Sequence, residues 1–505
     1  MDKLANKFKN INQLNVLKYL VIQLITLLIC QNFLQMHYSS DTYVLFDLGY
    51  MNYPSKYFLL DGRLISALVC YIAGILKIPM QAYIIGMDFI GIIFIGIAIY
   101  LIEKILEDII KPQRNILKIL LIASSFVLIL NQFTLEYLLF PESAVMCLGV
   151  LLNVVAVKLM VENSRYKYIK IFFTLLIAAL CYQGLLNIFP VLAVMIYLLK
   201  EIVDKRENRL KQKEFIIEMM KLAVIVILIL VICIGVVKIG KVALNSKQDR
   251  MMHLIDFEAV MFRAETVEEY MDELWNKCMY MLPEHTCTIT LVLSIIFLLV
   301  LKPQKVIFFK YLLLIFMCFV ICIVPMFMFN TGVCGRVNVP LMMIWGASLI
   351  ILLTQSTVVN KPKITNVVYV FVAISFIINT IFLMQNITEH IAANRVDENM
   401  GKTIKYAIEE YEEETGNKVT KFSYTYDRKP QQYAVGIKPI GSLTERKFAC
   451  SWSILQAMKF YCERDFKLTR MPFDEKYEEI IRKDYTEFTE EQLIFYEDTL
   501  LLVIY

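Results

Sequence analysis

Residues 64–78 read LISALVCYIAGILKI, and whether this run crosses a membrane sets the direction of every helix after it. It is short of the roughly 20 apolar residues that a hydrocarbon core of about 30 Å requires. The basic residues elsewhere decide the matter. If 64–78 stays on the surface, the loops that share a side with the N-terminus are 103–115 (Lys104, Lys111, Arg114), 161–170 (Arg165, Lys167, Lys170), 200–221, 302–310 (Lys302, Lys305, Lys310) and 360–363 (Lys361, Lys363). These short, Lys/Arg-rich loops then lie in the cytoplasm with the basic start of the chain, as the positive-inside rule requires. If the run crosses, all of them move outside. The expectation is therefore a juxtamembrane or re-entrant helix on the outer face.

The other apolar runs, at about 15–36, 81–102, 116–134, 140–160, 170–185, 186–200, 222–240, 287–301, 311–329, 340–356 and 366–386, then make about eleven crossings. Composition agrees: 58% of the 505 residues are apolar, 19% are charged and the mean hydropathy is +0.58. A soluble globular protein is about a quarter charged, so the excess apolar surface implies a lipid bilayer as partner. The net charge of +4 is too small to indicate nucleic acid. The twelve cysteines fall mostly in apolar runs, as at Cys30, Cys147 and Cys233, and no C-x-x-C pair points to zinc or redox chemistry. The first apolar run is long and lacks a small-residue cleavage site, so it reads as a transmembrane helix and not as a signal peptide.

After residue 387 the composition changes. A charged helical stretch over 394–415 ends at Gly416-Asn417, 419–426 alternates like a strand, 450–462 and 477–488 look helical, and 492–505 reads as a strand pair turning near Glu497-Asp498. The expected fold is an all-α polytopic membrane domain over 1–387 and a small soluble α/β domain over 388–505, the latter outside the cytoplasm. Loop 241–286, with Asp249, Asp256, Glu258, Glu265, Glu268, Glu269, Asp272 and Glu273, reads as a helical, solvated cap on the outer side.

Ionisable groups beside membrane helices are costly and point to function. They gather at the outer ends: Asp41, Asp47, Asp61 and Arg63 in the first outer loop, Glu136 and Glu142 in the second, and Arg336 before the tenth crossing. Asp88 alone sits clearly within a crossing. This distribution describes a polar cavity open to the outer surface and not a path through the midplane. The four histidines, His37, His253, His285 and His390, are not spaced as ligands on one element, and no metal site is read from them. Cys450 and Cys462 are not expected to pair.

The first outer loop runs from Ser39-Ser40-Asp41-Thr42-Tyr43 through Tyr50, Tyr53 and Tyr57 to Leu60-Asp61-Gly62-Arg63-Leu64. A carboxylate at the exit of the first helix, then a surface helix and a Gly-Arg step, resembles the GT-C class of membrane glycosyltransferases. Within that class the chain is most similar to the bacterial serotype-converting O-antigen glucosyltransferases, whose Gly-Arg-Pro-Leu-like step it matches with the proline missing. Phe140-Pro141-Glu142-Ser143 and Cys181-Tyr182-Gln183-Gly184 add to the likeness, which covers roughly 15–200 by motif. The resemblance implies transfer of a hexose such as glucose from a polyprenyl-phosphate sugar donor to a glycan acceptor on the outer side of the cell membrane, without a cofactor.

In that reading Asp41 takes the proton of the acceptor hydroxyl, while Arg63 by motif and Arg336 by position meet the leaving phosphate. Asp61, Glu142, Tyr182 and Gln183 are candidates for contact with the sugar. Each has a plainer alternative. Asp41 suits the cap of the helix that follows, Arg63 and Arg336 suit anchoring near headgroups, Glu142 suits a helix N-terminus, and Tyr182-Gln183 suit packing at a helix end. A nucleotide-sugar synthase is excluded by the lack of any Asp-x-Asp and of a large cytoplasmic loop. A transporter or flippase of lipid-linked sugars is the main competitor, although the helix interiors are nearly free of charge. A glycan polymerase or ligase shares the outer cavity and the donor.

Overall fold

In the computed structural model residues 13–162, 164–204, 209–245, 266–328, 334–359, 361–425, 436–470, 477–483, 485 and 487–504 are described. Asp249, His253, Asp256, Glu258 and Glu265 of the expected cap lie outside them.

Helix α1 (Gln13–Cys30) runs on through a 3-10 turn to Leu34 and is followed by two shorter helices, α2 (Ser40–Tyr53) and α3 (Leu64–Ile75). Ser39 begins α2 with a capping box, its hydroxyl taking the Thr42 N–H while Thr42 Oγ1 takes its own. The cap is thus Ser39 and not Asp41, which sits in the first turn. The twelve residues of α3 span about 18 Å at 1.5 Å per residue, too little for a bilayer core.

The bundle proper consists of α4 (Met80–Ile110), α5 (Asn115–Ile129), α6 (Ser143–Val161), α7 (Lys167–Cys181), α8 (Ile188–Asp204), α9 (Arg209–Ala243), α10 (Thr286–Val300), α11 (Lys305–Met328), α12 (Val339–Val359) and α13 (Pro362–Thr415). Eight described helices are long and apolar enough to cross a bilayer: α1, α4, α6, α8, α9, α11, α12 and α13. α5, α7 and α10, which the sequence counts among eleven crossings, have fifteen residues each. α12 is buried along nearly its whole length, whereas α9 turns Val224, Ile227, Leu228 and Val231 outward, the surface a lipid environment accepts.

Side-chain contacts fix the two ends of the bundle. At one, Lys18 bridges Glu103 (2.9 Å) and Glu107 (2.7 Å), Lys310 meets Glu201 (2.5 Å), and the Tyr168 hydroxyl donates to Glu218 (2.5 Å). Glu103 is thus a second carboxylate buried in an apolar helix, beyond Asp88. At the other end, Gln132, Asn379 and Asn386 exchange amide hydrogen bonds across nearly 250 residues of chain.

α13 does not stop where the apolar sequence stops. Proline opens it at N1 and Gly416, with φ +72°, closes it after 54 residues, so one helix belongs both to the bundle and to the C-terminal domain. That domain holds a four-stranded sheet of β1 (Lys421–Tyr424), β2 (Lys467–Leu468), β3 (Leu493–Tyr496) and β4 (Thr499–Leu502) in the order β2-β1-β4-β3, parallel except for the β3/β4 hairpin. Helix α14 (Ile454–Cys462) packs on α2, where the Tyr43 and Tyr461 hydroxyls meet at 2.7 Å and Lys459 pairs with Asp47 at 3.0 Å. The expected helix at 477–488 is only the single turn Glu478–Arg482 among the described residues. Cys450 and Cys462 are free and buried.

A buried chain of polar contacts ties the domain to the bundle. His390 Nδ1 lies 2.6 Å from the Leu443 carbonyl and His390 Nε2 3.0 Å from His37 Nδ1. His37 Nε2 lies 3.0 Å from Asp88 Oδ2, and the Ser143 hydroxyl donates to Asp88 Oδ1 at 2.7 Å. Asp88 is therefore a hydrogen-bond partner inside the wall.

Candidate active site

The start of α2 places Ser39, Ser40 and Asp41 at the mouth of the bundle, and the turn after α2 brings Tyr57, Asp61 and Arg63 to face them. Phe140, Arg336 and four residues of the C-terminal domain complete the wall of a cavity of about 340 Å³. That is within the range of small-ligand sites, roughly 300–1,000 Å³.

Arg63 reaches the cavity because Gly62 turns the chain in the left-handed region, with φ +72°. A Cβ there would stand 2.9 Å from both Gln183 Nε2 and Val237 Cγ2. Gln183 Nε2 in turn donates to the Asp61 carbonyl at 2.5 Å, holding the turn. The Arg63 guanidinium lies 4.7 Å over the Tyr182 ring, donates to Glu142 Oε1 at 3.0 Å and stands 3.6 Å from Asp61 Oδ2. Its Nε is buried without a hydrogen-bond partner. Burial opposes the Arg63 charge, yet Asp61 and Glu142 more than offset it and raise the pKa.

Glu142 is fully buried. Burial, opposed by Arg63 and reinforced by the negative charge of Asp41, pushes its carboxyl up to about 7. Tyr53, buried at the cavity wall, keeps its phenolic proton to well above the usual range, first through burial and then through Asp41 and Glu142. Arg336 is set by Glu136, which accepts the backbone N–H groups of Gly335 (3.2 Å) and Arg336 (3.0 Å) and lies 3.5 Å from the guanidinium. The Tyr137 hydroxyl donates to the Arg336 carbonyl at 2.7 Å, and the guanidinium rests 4.7 Å over Phe140.

Of the residues singled out in the sequence, Asp41, Asp61, Arg63 and Arg336 line one cavity. Glu142, Tyr182 and Gln183 stand behind its wall, where they position Arg63 and the turn before it. Ser442, Glu445, Lys447 and Trp452, which enter from the C-terminal domain, were not singled out in the sequence. The only trace of them was the charged run Glu445-Arg446-Lys447 followed by one of just three tryptophans. The arrangement sets three carboxylates, Asp41, Asp61 and Glu445, and three cations, Arg63, Arg336 and Lys447, around one sugar-sized space.

A family model described as glucosyl transferase GtrII matches residues 33–333, more than half of the chain. The match includes Asp41, Asp61, Arg63, Glu142, Tyr182 and Gln183, and it ends before Arg336 and the C-terminal domain. No curated protein and no solved structure matches the chain significantly.

Proposed function

The chain belongs to the glucosyl transferase GtrII family, and on that footing we propose that it moves a hexose, glucose by family, from a polyprenyl-phosphate donor to a cell-surface glycan. Transfer takes place on the outer side of the cell membrane. The chain crosses eleven times, α3 lies along the outer face, and the domain over 388–505 stands outside.

One observation carries the reading: Asp41, Arg63 and Arg336 converge on one cavity at the end of the bundle where α3 lies across the surface. A lipid-linked sugar keeps its chain in the bilayer and presents its phosphate at that depth. The acceptor hydroxyl gives its proton to Asp41 as its oxygen bonds to the anomeric carbon. The bond from that carbon to the phosphate oxygen breaks, and the electron pair leaves on polyprenyl phosphate. Base catalysis of this kind contributes about 10²–10⁴-fold. Arg63 and Arg336 supply fixed donors where the leaving charge develops. Asp61 is positioned to accept from sugar hydroxyls, and Glu142, Tyr182 and Gln183 hold Arg63 in place.

The test is transfer by the purified protein from polyprenyl phosphate glucose to a panel of glycan acceptors. Wild type releases free polyprenyl phosphate, and Asp41→Asn, with an unchanged melting temperature, loses about 10²–10⁴-fold. Movement of the intact lipid across a vesicle bilayer, with no release on any acceptor, overturns the reading in favour of a flippase.

A further inference from the structure

Arg63 and Arg336 meet the cavity already matched by carboxylates. Asp61 attends Arg63, joined by Glu142 where that is ionised, and Glu136 attends Arg336. An anion arriving between such pairs feels little net positive charge, because opposite charges a few ångströms apart largely cancel at its distance.

Lys447 differs. The residue is 2% exposed, it lines the same cavity, and its Nζ donates to the Glu445 carbonyl at 2.7 Å. Among the described residues no carboxylate oxygen lies within ion-pair distance of that ammonium, and its other two N–H groups have no acceptor. The Glu445 carboxylate is directed to Cys450. Asp397 accepts the Lys447 backbone N–H at 2.9 Å and pairs with Arg446 at 3.5 Å. Asp397 acts on Lys447 through space without its carboxylate reaching the ammonium, and a buried charge compensated only in part favours a further anion beside it.

The position is also rigid. Besides Asp397 on α13, the Ser453 hydroxyl holds the Lys447 carbonyl at 2.9 Å, and His390 holds Leu443 a few residues earlier. The cation is thus fixed by the long helix and not left on a wandering loop.

We propose that Lys447 is the principal charge binding the phosphate of the lipid-linked donor, delivered into the cavity by the C-terminal domain. Arg63 and Arg336 then act mainly as orienting hydrogen-bond donors. This rests on the donor being a lipid-linked sugar phosphate, as proposed above, and it makes the C-terminal domain part of the active site.

Binding is read apart from transfer by using farnesyl phosphate, with farnesol as the uncharged comparison. Lys447→Met weakens farnesyl phosphate binding and raises the donor KM at least tenfold, leaving farnesol binding and the acceptor KM unchanged. Lys447→Arg recovers most of the loss. In wild type, farnesyl phosphate but not farnesol slows hydrogen exchange in segment 440–453, a readout that needs no variant to fold. Unaltered farnesyl phosphate affinity in folded Lys447→Met, or no protection of 440–453, overturns the proposal. Transfer that persists in that variant with an unchanged donor KM sinks this inference alone. Lys447-dependent phosphate binding without any sugar transfer by wild type sinks the functional reading and leaves the phosphate site standing.

Discussion

At Glu142 burial outweighs the neighbouring guanidinium, so its proton leaves at about 7 where an ordinary glutamate loses it near 4.5. The fold therefore favours the protonated form. The stability this contributes is complete below the ordinary glutamate range and is lost as pH climbs through about 7. The same titration governs Arg63. Ionised Glu142 holds its charge, and protonated Glu142 releases it toward the cavity. The kcat/KM for donor is accordingly expected to fall as pH rises through about 7. Glu142→Gln should flatten that limb and leave the acceptor KM alone; a pH profile of the variant that keeps the limb would refute the coupling. Glu142 was visible in the sequence because an acid beside a helix N-terminus stands out. Its partner was not, since nothing in the chain announces that Arg63, 79 residues away, faces it. Lys447 was harder still, being one lysine in a tail of ordinary charge.

The turn between α2 and α3 shows how an element aims a residue. Gly49 and Gly62 both have positive φ, +71° and +72°, and Gly49 combines it with ψ 170°. Alanine at either is strained by its positive φ, by about 1–3 kcal/mol. A Cβ on Gly49 meets nothing within 4 Å, but one on Gly62 meets Gln183 and Val237 at 2.9 Å. Gly62→Ala should displace the turn and lower transfer at least tenfold per folded molecule, while Gly49→Ala should lower the melting temperature and spare turnover. Equal losses in the two would show that strain and not the contact matters. Helix lengths explain what was legible here. The run at 64–78, read from the sequence as too short to cross, forms a helix of twelve residues. α13 was read as two pieces because its composition changes near residue 387. No proline interrupts 363–415, however, and helical hydrogen bonding depends on the backbone and not on hydropathy.

For the molecule as a whole, the proposed orientation rests on where the charges fall. Lys18, Lys167, Lys305, Lys310 and Lys361 lie at or near the bundle end opposite the cavity, and cytoplasmic loops carry the excess of Lys and Arg. The contacts that close the molecule at the other end join residues far apart in sequence. Tyr43 meets Tyr461, Glu136 meets Arg336 and His37 meets His390, pairs that a reading along the chain could not bring together. The proposed threading would put the start of α11 and the end of α13 on opposite faces of the membrane. All native cysteines are buried except the half-buried Cys334, so a Cys334→Ser background is silent toward a membrane-impermeant thiol reagent. In intact cells a single cysteine at Glu412 should be labelled and one at Lys305 should be labelled only after permeabilisation. Labelling at Lys305 from outside would reverse the bundle and place the cavity in the cytoplasm. The acceptor would then be an intracellular molecule and not a surface glycan, even if Asp41 and the cations around it still performed the transfer.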